Sequence, residues 1–193
     1  MDFLIYLKLG WRHIISAEAW DHILFIIVLS VIFRSAEWKN VLILVTAFTI
    51  GHALTLVLSV LDIVRFPPEW VEFLIPCTIM ATAVANFFQR DFKPRGLHAN
   101  YFLALGFGLI HGMGFANTIR FTLAREQNLG WSLFGFNLGL EFGQIFVVLF
   151  VLAGTGLVTG RLALKRSWWV YGVSAVVFAI ALQMAFERRP FSH

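Results

Sequence analysis

The stretch WDHILFIIVL, residues 20–29, sets Asp21 and His22 at the head of an apolar run that continues through Val31, Ile32 and Phe33. The rest of the chain identifies the solvent this run is meant for. Of 193 residues, 59% are hydrophobic and 13% charged, against roughly 45–50% apolar and 25% charged in an average soluble domain. Similar runs, bounded by charge, proline or tryptophan, recur along the sequence. With the first at about 17–33, they fall at about 40–61, 70–88, 101–119, 132–158 and 167–186. A helix of roughly 20 residues crosses a hydrocarbon core of about 30 Å, and it satisfies its own backbone polar groups where no water can. The reading is an all-α integral membrane protein, a single transmembrane domain over residues 1–193 built as a six-helix bundle. A short amphipathic helix at 2–14, with Lys8, Arg12 and His13 among apolar residues, precedes it, interfacial or partly inserted.

The formal net charge is +4, but the Lys and Arg residues sit in short clusters between apolar runs. They read as membrane flanks, so the expected partner is the bilayer and not nucleic acid. Six spans put both termini on one face. Between spans, the opposite face carries Arg34, Lys39, Arg90, Lys93, Arg95, Arg161, Lys165 and Arg166, whereas the terminal face carries Arg65, Arg120 and Arg125. The excess marks the opposite face as cytoplasmic and the termini as external. A lone cysteine, Cys77, excludes an internal disulfide and a thiolate-rich metal site.

An ionisable side chain inside a span costs roughly 2.5–3.5 kcal/mol on insertion scales, and such groups mark ion paths, relays or bound ligands. Here they are Asp21, His22, His52, Glu72, His111 and Glu141. At about 1.5 Å per residue, His22, His52, His111 and Glu141 lie roughly 7–14 Å from the terminal face. Four spans thus aim polar atoms at one layer. Asp21 and Glu72 lie shallower, on the approach. Thr46, Thr49, His52, Thr55 and Ser59 recur at helical spacing, which gives one hydroxyl-bearing face around His52. Asn137, Glu141 and Gln144 share a face of the fifth span; Asn137 and Gln144 read as interhelical glue. Two ladders of small residues, Gly135/Gly139/Gly143 and Ala104/Gly108/Gly112/Ala116, lead us to expect the His111 and Glu141 helices to form a tight pair.

Imidazole and carboxylate without thiolate suits Ni, Zn, Cu(II), Fe or Co, whereas a Mg or Ca site would use more oxygens. The expected cofactor is one divalent transition metal ion, Ni or Zn foremost. Its ligands would be His22, His52 and His111, with Asp21 or Glu141 as ligand or as acceptor for an imidazole N–H. His13 could fold over the site from the terminal face. Glu72, Asn137, Gln144, Thr49 and Thr55 would form the approach and the surroundings. His98 and His193 lie in loop and tail and read as solvated.

The blocks LGWRHIISAEAWDHILFIIVL, FTIGHALTL, VEFLIP, GLIHGMGF and FNLGLEFGQ, in this order over about residues 9–145, resemble the HupE/UreJ family of small bacterial membrane proteins. The resemblance implies six spans in the bacterial inner membrane and transport of nickel or cobalt. It also implies an accessory role beside hydrogenase or urease maturation proteins. Carried over by position, it assigns the N-terminal metal element to His13, Asp21 and His22, and its later blocks supply His52, Glu72, His111 and Glu141.

Two functions are compatible with these residues. The first is binding and movement of a divalent transition metal, in which Asp21 and Glu72 attract the hydrated ion and the imidazoles replace its water. The second is an intramembrane metal-dependent hydrolase or acyl transferase acting on lipid, with a water made acidic by the metal and Asp21 or Glu141 as general base. For the first, the half of the spans facing away from the termini is troublesome: FIIVLSVIF, VLILV and IFVVLFVLAG offer no release ligands.

Overall fold

The computed structural model describes residues 2–16, 19–89, 97–123 and 128–190, without the side chains of 2, 97–99 and 117–123. His98, His193, Arg90, Lys93, Arg95, Arg120 and Arg125 therefore lie outside the described side chains. Among the described residues all regular structure is helical: α1 (Asp2–Ile15), α2 (Trp20–Ser30), α3 (Trp38–Val60), α4 (Pro68–Phe87), α5 (Leu97–Leu123), α6 (Leu129–Gly156) and α7 (Arg166–Glu187). A 3-10 turn at Ser35–Glu37 leads into α3, and a π-helical turn at Leu157–Arg161 ends α6.

Among the described residues four segments are long and apolar enough to cross a membrane: Ser35–Val60, Pro68–Phe87, Leu129–Arg161 and Arg166–Glu187. The first span expected at 17–33 differs. α2 has only 11 residues, about 16 Å of helix, half a bilayer core. The pair α1 and α2, whose axes are bent by 69° from one another, passes the same test jointly as a broken span or re-entrant loop.

Glycine contacts show how α1 is seated against α6. A Cβ on Gly135 or Gly139 would strike the carbonyl oxygens of Phe3 or Leu7, one on Gly10 the carbonyl of Phe136, and one on Gly143 the side chain of Ile14. Backbone therefore lies against backbone, and α1 runs parallel to α6. α2 also lies along α6, though at an angle to α1: Ile23, Ile27 and Val31 line a surface groove with Phe146, Phe150 and Gly154, and Ser35 Oγ donates to Leu152 O at 3.0 Å. Lys8 and Arg12 stay on the exposed side of α1, where long side chains can carry their charge towards the interface.

The second ladder corrects another expectation. Cβ atoms on Gly108 and Gly112 would meet the backbone of Phe48 and His52, and one on Gly51 the carbonyl of Leu105. α5 thus packs closely against α3, and α6 against α1. Each ladder is answered by a glycine on its true partner, Gly51 or Gly10, so the close pair of α5 and α6 does not form; these two meet through Phe115 and Phe136, stacked at 4.9 Å. Elsewhere Val71 and Ile75 of α4 lie against Gly114, antiparallel to α5, and Asn86 Nδ2 joins α4 to Val28 O at 2.8 Å and to Ser174 Oγ at 3.1 Å.

Candidate metal centre

The break between α1 and α2 is what builds the site. His13 sits in the last turn of α1 and His22 in the first turn of α2, so two ends of one interrupted segment aim imidazoles at the same point. The C-terminal end of α1, which carries the negative pole of its helix dipole, faces that point too. α3 supplies His52 from the hydroxyl-bearing face. One ligand nitrogen each from His13, His22 and His52 lie within 4.8 Å of one another. Tetrahedral ligands about 2.05 Å from a metal stand roughly 3.4 Å apart. Ring rotations of the order of 1 Å would close the shell.

Hydrogen bonds fix the orientation of His22. Asp21 Oδ1 accepts both the backbone N–H of His22 at 2.9 Å and its ring Nδ1–H at 3.0 Å. Nε2 then carries the lone pair, a carboxylate–imidazole arrangement typical of metal sites. Arg188, just beyond α7, holds the other carboxylate oxygen at 3.5 Å. Nothing in the sequence pairs Arg188 with Asp21. His52 is 0% exposed, and neither of its ring nitrogens has a partner; His13 Nε2 and His22 Nε2 are buried and unpartnered as well. A buried polar atom without a partner costs about 1–3 kcal/mol. A set of unpaired imidazole nitrogens facing one another is what a metal site in waiting requires, so the residues fit a divalent transition metal.

His111 stands beside this group, its ring centroid 5.1 Å from that of His22. Thr78 Oγ1 donates to Ile75 O at 2.7 Å and lies 3.1 Å from His111 Nε2. With the hydroxyl proton so engaged, Nε2–H is the donor and Nδ1 holds the lone pair, buried and without a partner. Thr78 was missed in the sequence reading, although it falls within an apolar span where any hydroxyl is informative. Aromatic rings wall the cluster: Phe115 lies 3.9 Å from His13, and Phe48 lies 5.0 Å from His111 and 5.9 Å from His22.

The other residues singled out by sequence stand apart. Glu141 Oε1 accepts Thr46 Oγ1 at 2.6 Å, and Gln144 Oε1 accepts Thr49 Oγ1 at 2.8 Å. Thr46 precedes His52 by six residues, about 9 Å along α3, so Glu141 belongs to the α3–α6 seam and not to the imidazole cluster. Asn137 donates to Leu133 O on its own helix at 2.8 Å, and Thr55 to Gly51 O and His52 O, both at 3.2 Å. Glu72 is exposed on α4. Asp21→Ala, which leaves His22 free to turn, is expected to weaken metal binding by about 10–100-fold, read by isothermal titration with Ni²⁺.

The whole of this arrangement lies inside a stretch with a known family. No curated protein and no solved structure matches the chain significantly. The family model described as HupE / UreJ protein matches residues 1–188, which takes in α1 to α7 and every histidine of the cluster, and the chain belongs to that family.

Proposed function

We propose that this protein binds a divalent transition metal, nickel by family, through His13, His22 and His52 with His111 as a fourth imidazole, and moves it across the bacterial inner membrane. The observation that carries this reading is the set of buried, unpartnered nitrogens on His13, His22, His52 and His111. HupE/UreJ proteins are linked to nickel and cobalt handling, which agrees with an imidazole site lacking thiolate. The chain crosses the bilayer six times in this reading: α1 and α2 make one broken passage and α3 to α7 one each, with both termini external. Broken spans whose half-helix ends meet an ion are a recurrent device of transporters. Metalloenzyme-maturation proteins on the cytoplasmic face would receive the metal.

A lipid hydrolase or acyl transferase is the weaker reading, because its general bases are committed elsewhere. Asp21 is shared by His22 and Arg188, and Glu141 is bonded to Thr46 away from the imidazoles. The test is purified protein in liposomes enclosing a nickel-sensitive dye. About one Ni²⁺ per chain and dye quenching that disappears in His22→Ala are expected. Bound nickel without quenching would remove the transport claim, and absence of bound metal would remove both.

A further inference from the structure

Resting on the transport reading, we infer that metal leaves the histidine site through a single aromatic layer, Phe25 with Phe48 and Phe107, into a mostly apolar vestibule that carries one polar stripe along α4 and opens on the face opposite the termini. The sequence reading found no release ligands in that half of the spans. They come from α4. Thr78, Thr82, Asn86 and Gln89 recur at i, i+4, i+8 and i+11, within an arc of about 80° over roughly 16 Å of helix. The stripe begins at the histidine site, where Thr78 meets His111 Nε2 at 3.1 Å. It ends at Gln89, beyond the last turn of α4.

A cavity of about 160 Å³ lies along this stripe; its wall is mostly apolar, Phe25 and Phe107 included, and its polar side chains are Thr82, Asn86 and Gln89 of α4 and the α4 end and Asn100 of α5. That is room for several waters, and the side chains offer them polar partners. Asn86 is held in place by its bonds to Val28 O and Ser174 Oγ. Phe25 separates cavity from metal site. Its ring lies 5.5 Å from His111, 4.9 Å from Phe48 and 5.9 Å from Phe107. One ring rotation therefore stands between the imidazoles and a chamber where the ion can regain water.

The test uses the whole protein in oriented vesicles. In a Cys77→Ala background, Thr82→Cys is expected to react with a membrane-impermeant maleimide only from the face bearing the ends of α4 and the start of α5. Thr82→Leu, which fills the vestibule, is expected to lower Ni²⁺ flux at least tenfold with bound Ni²⁺ per chain unchanged, and Thr82→Ser to restore it. Phe25→Ala is expected to raise Ni²⁺ leak at the same occupancy. Labelling from the terminal face, labelling by membrane-soluble maleimide alone, or wild-type flux in Thr82→Leu overturns the route. If Thr82→Leu does not fold, the cysteine labelling decides. Wild-type protein that binds Ni²⁺ and passes none overturns the transport reading itself, a result distinct from intact flux in a blocked vestibule.

Discussion

His52→Leu is expected to abolish metal binding while making the metal-free protein more stable. Loss of a residue that merely orients a ligand costs roughly 10–100-fold in affinity, so loss of a central ligand belongs at or beyond the upper end of that range. The stability effect has the opposite sign. His52 is 0% exposed with both ring nitrogens unpaired, an arrangement that costs about 1–3 kcal/mol per unsatisfied group, and leucine fills a similar volume without it. In metal-free detergent solution the variant should melt above wild type. With Ni²⁺ at about 100 times its Kd, binding adds about 2.7 kcal/mol to wild type alone, and the difference should shift by that amount in favour of wild type. A paired thermal scan with and without Ni²⁺ reads both effects. A packing histidine would give no metal-dependent shift, and a variant less stable than wild type in both scans would count against the site.

Gly139→Val is expected to dismantle the α1–α6 contact and the metal site with it. A Cβ at Gly139 would lie on the carbonyl oxygen of Leu7 and near the nitrogen of Trp11, both backbone atoms that cannot turn aside. Overpacking in well-fitted interiors costs about 1–3 kcal/mol when side chains can adjust, so an obstacle made of backbone belongs at or above about 3 kcal/mol. α1 must move, and His13 moves with it. The expected readout is a fall in melting temperature together with loss of Ni²⁺ binding. Gly106→Val is the control, because a Cβ there meets nothing within 4 Å; its melting temperature and its affinity should stay near wild type. Equal losses in both variants would mean that backbone proximity at Gly139 is not what seats α1.

Much of the architecture follows from hydropathy, because the length of an apolar run and the thickness of a bilayer are tied by helix rise. α3, α4, α6 and α7 fall close to the runs read at 40–61, 70–88, 132–158 and 167–186. The first passage was harder to read. Lys8 and Arg12 suggested an interfacial or partly inserted helix, yet Gly10 was the more telling residue, since its missing Cβ is what admits the backbone of Phe136 and Leu140. The glycine ladders revealed that close contacts exist without naming the partner, which depends on where a matching glycine lies in another helix. Site residues show the same limit. Depth counted on each span separately grouped His22, His52, His111 and Glu141; it does not fix how the helices are staggered against one another, and Glu141 meets Thr46, about 9 Å along α3 from His52. His13 lies in the cluster because α1 and α2 are bent by 69° from one another, a break that no hydropathy pattern marks. The α4 stripe was legible as spacing but was hidden by the apolar residues around it.

The central claim is that imidazoles from both sides of this break and from α3 surround one ion. X-ray absorption at the nickel edge of the purified, Ni²⁺-loaded protein tests it most directly. The account predicts one nickel per chain with three or four imidazole nitrogens at about 2.0–2.1 Å, and one imidazole fewer in His13→Ala. A shell of oxygen scatterers alone, or a spectrum that His13→Ala and His52→Ala leave unchanged, would contradict it.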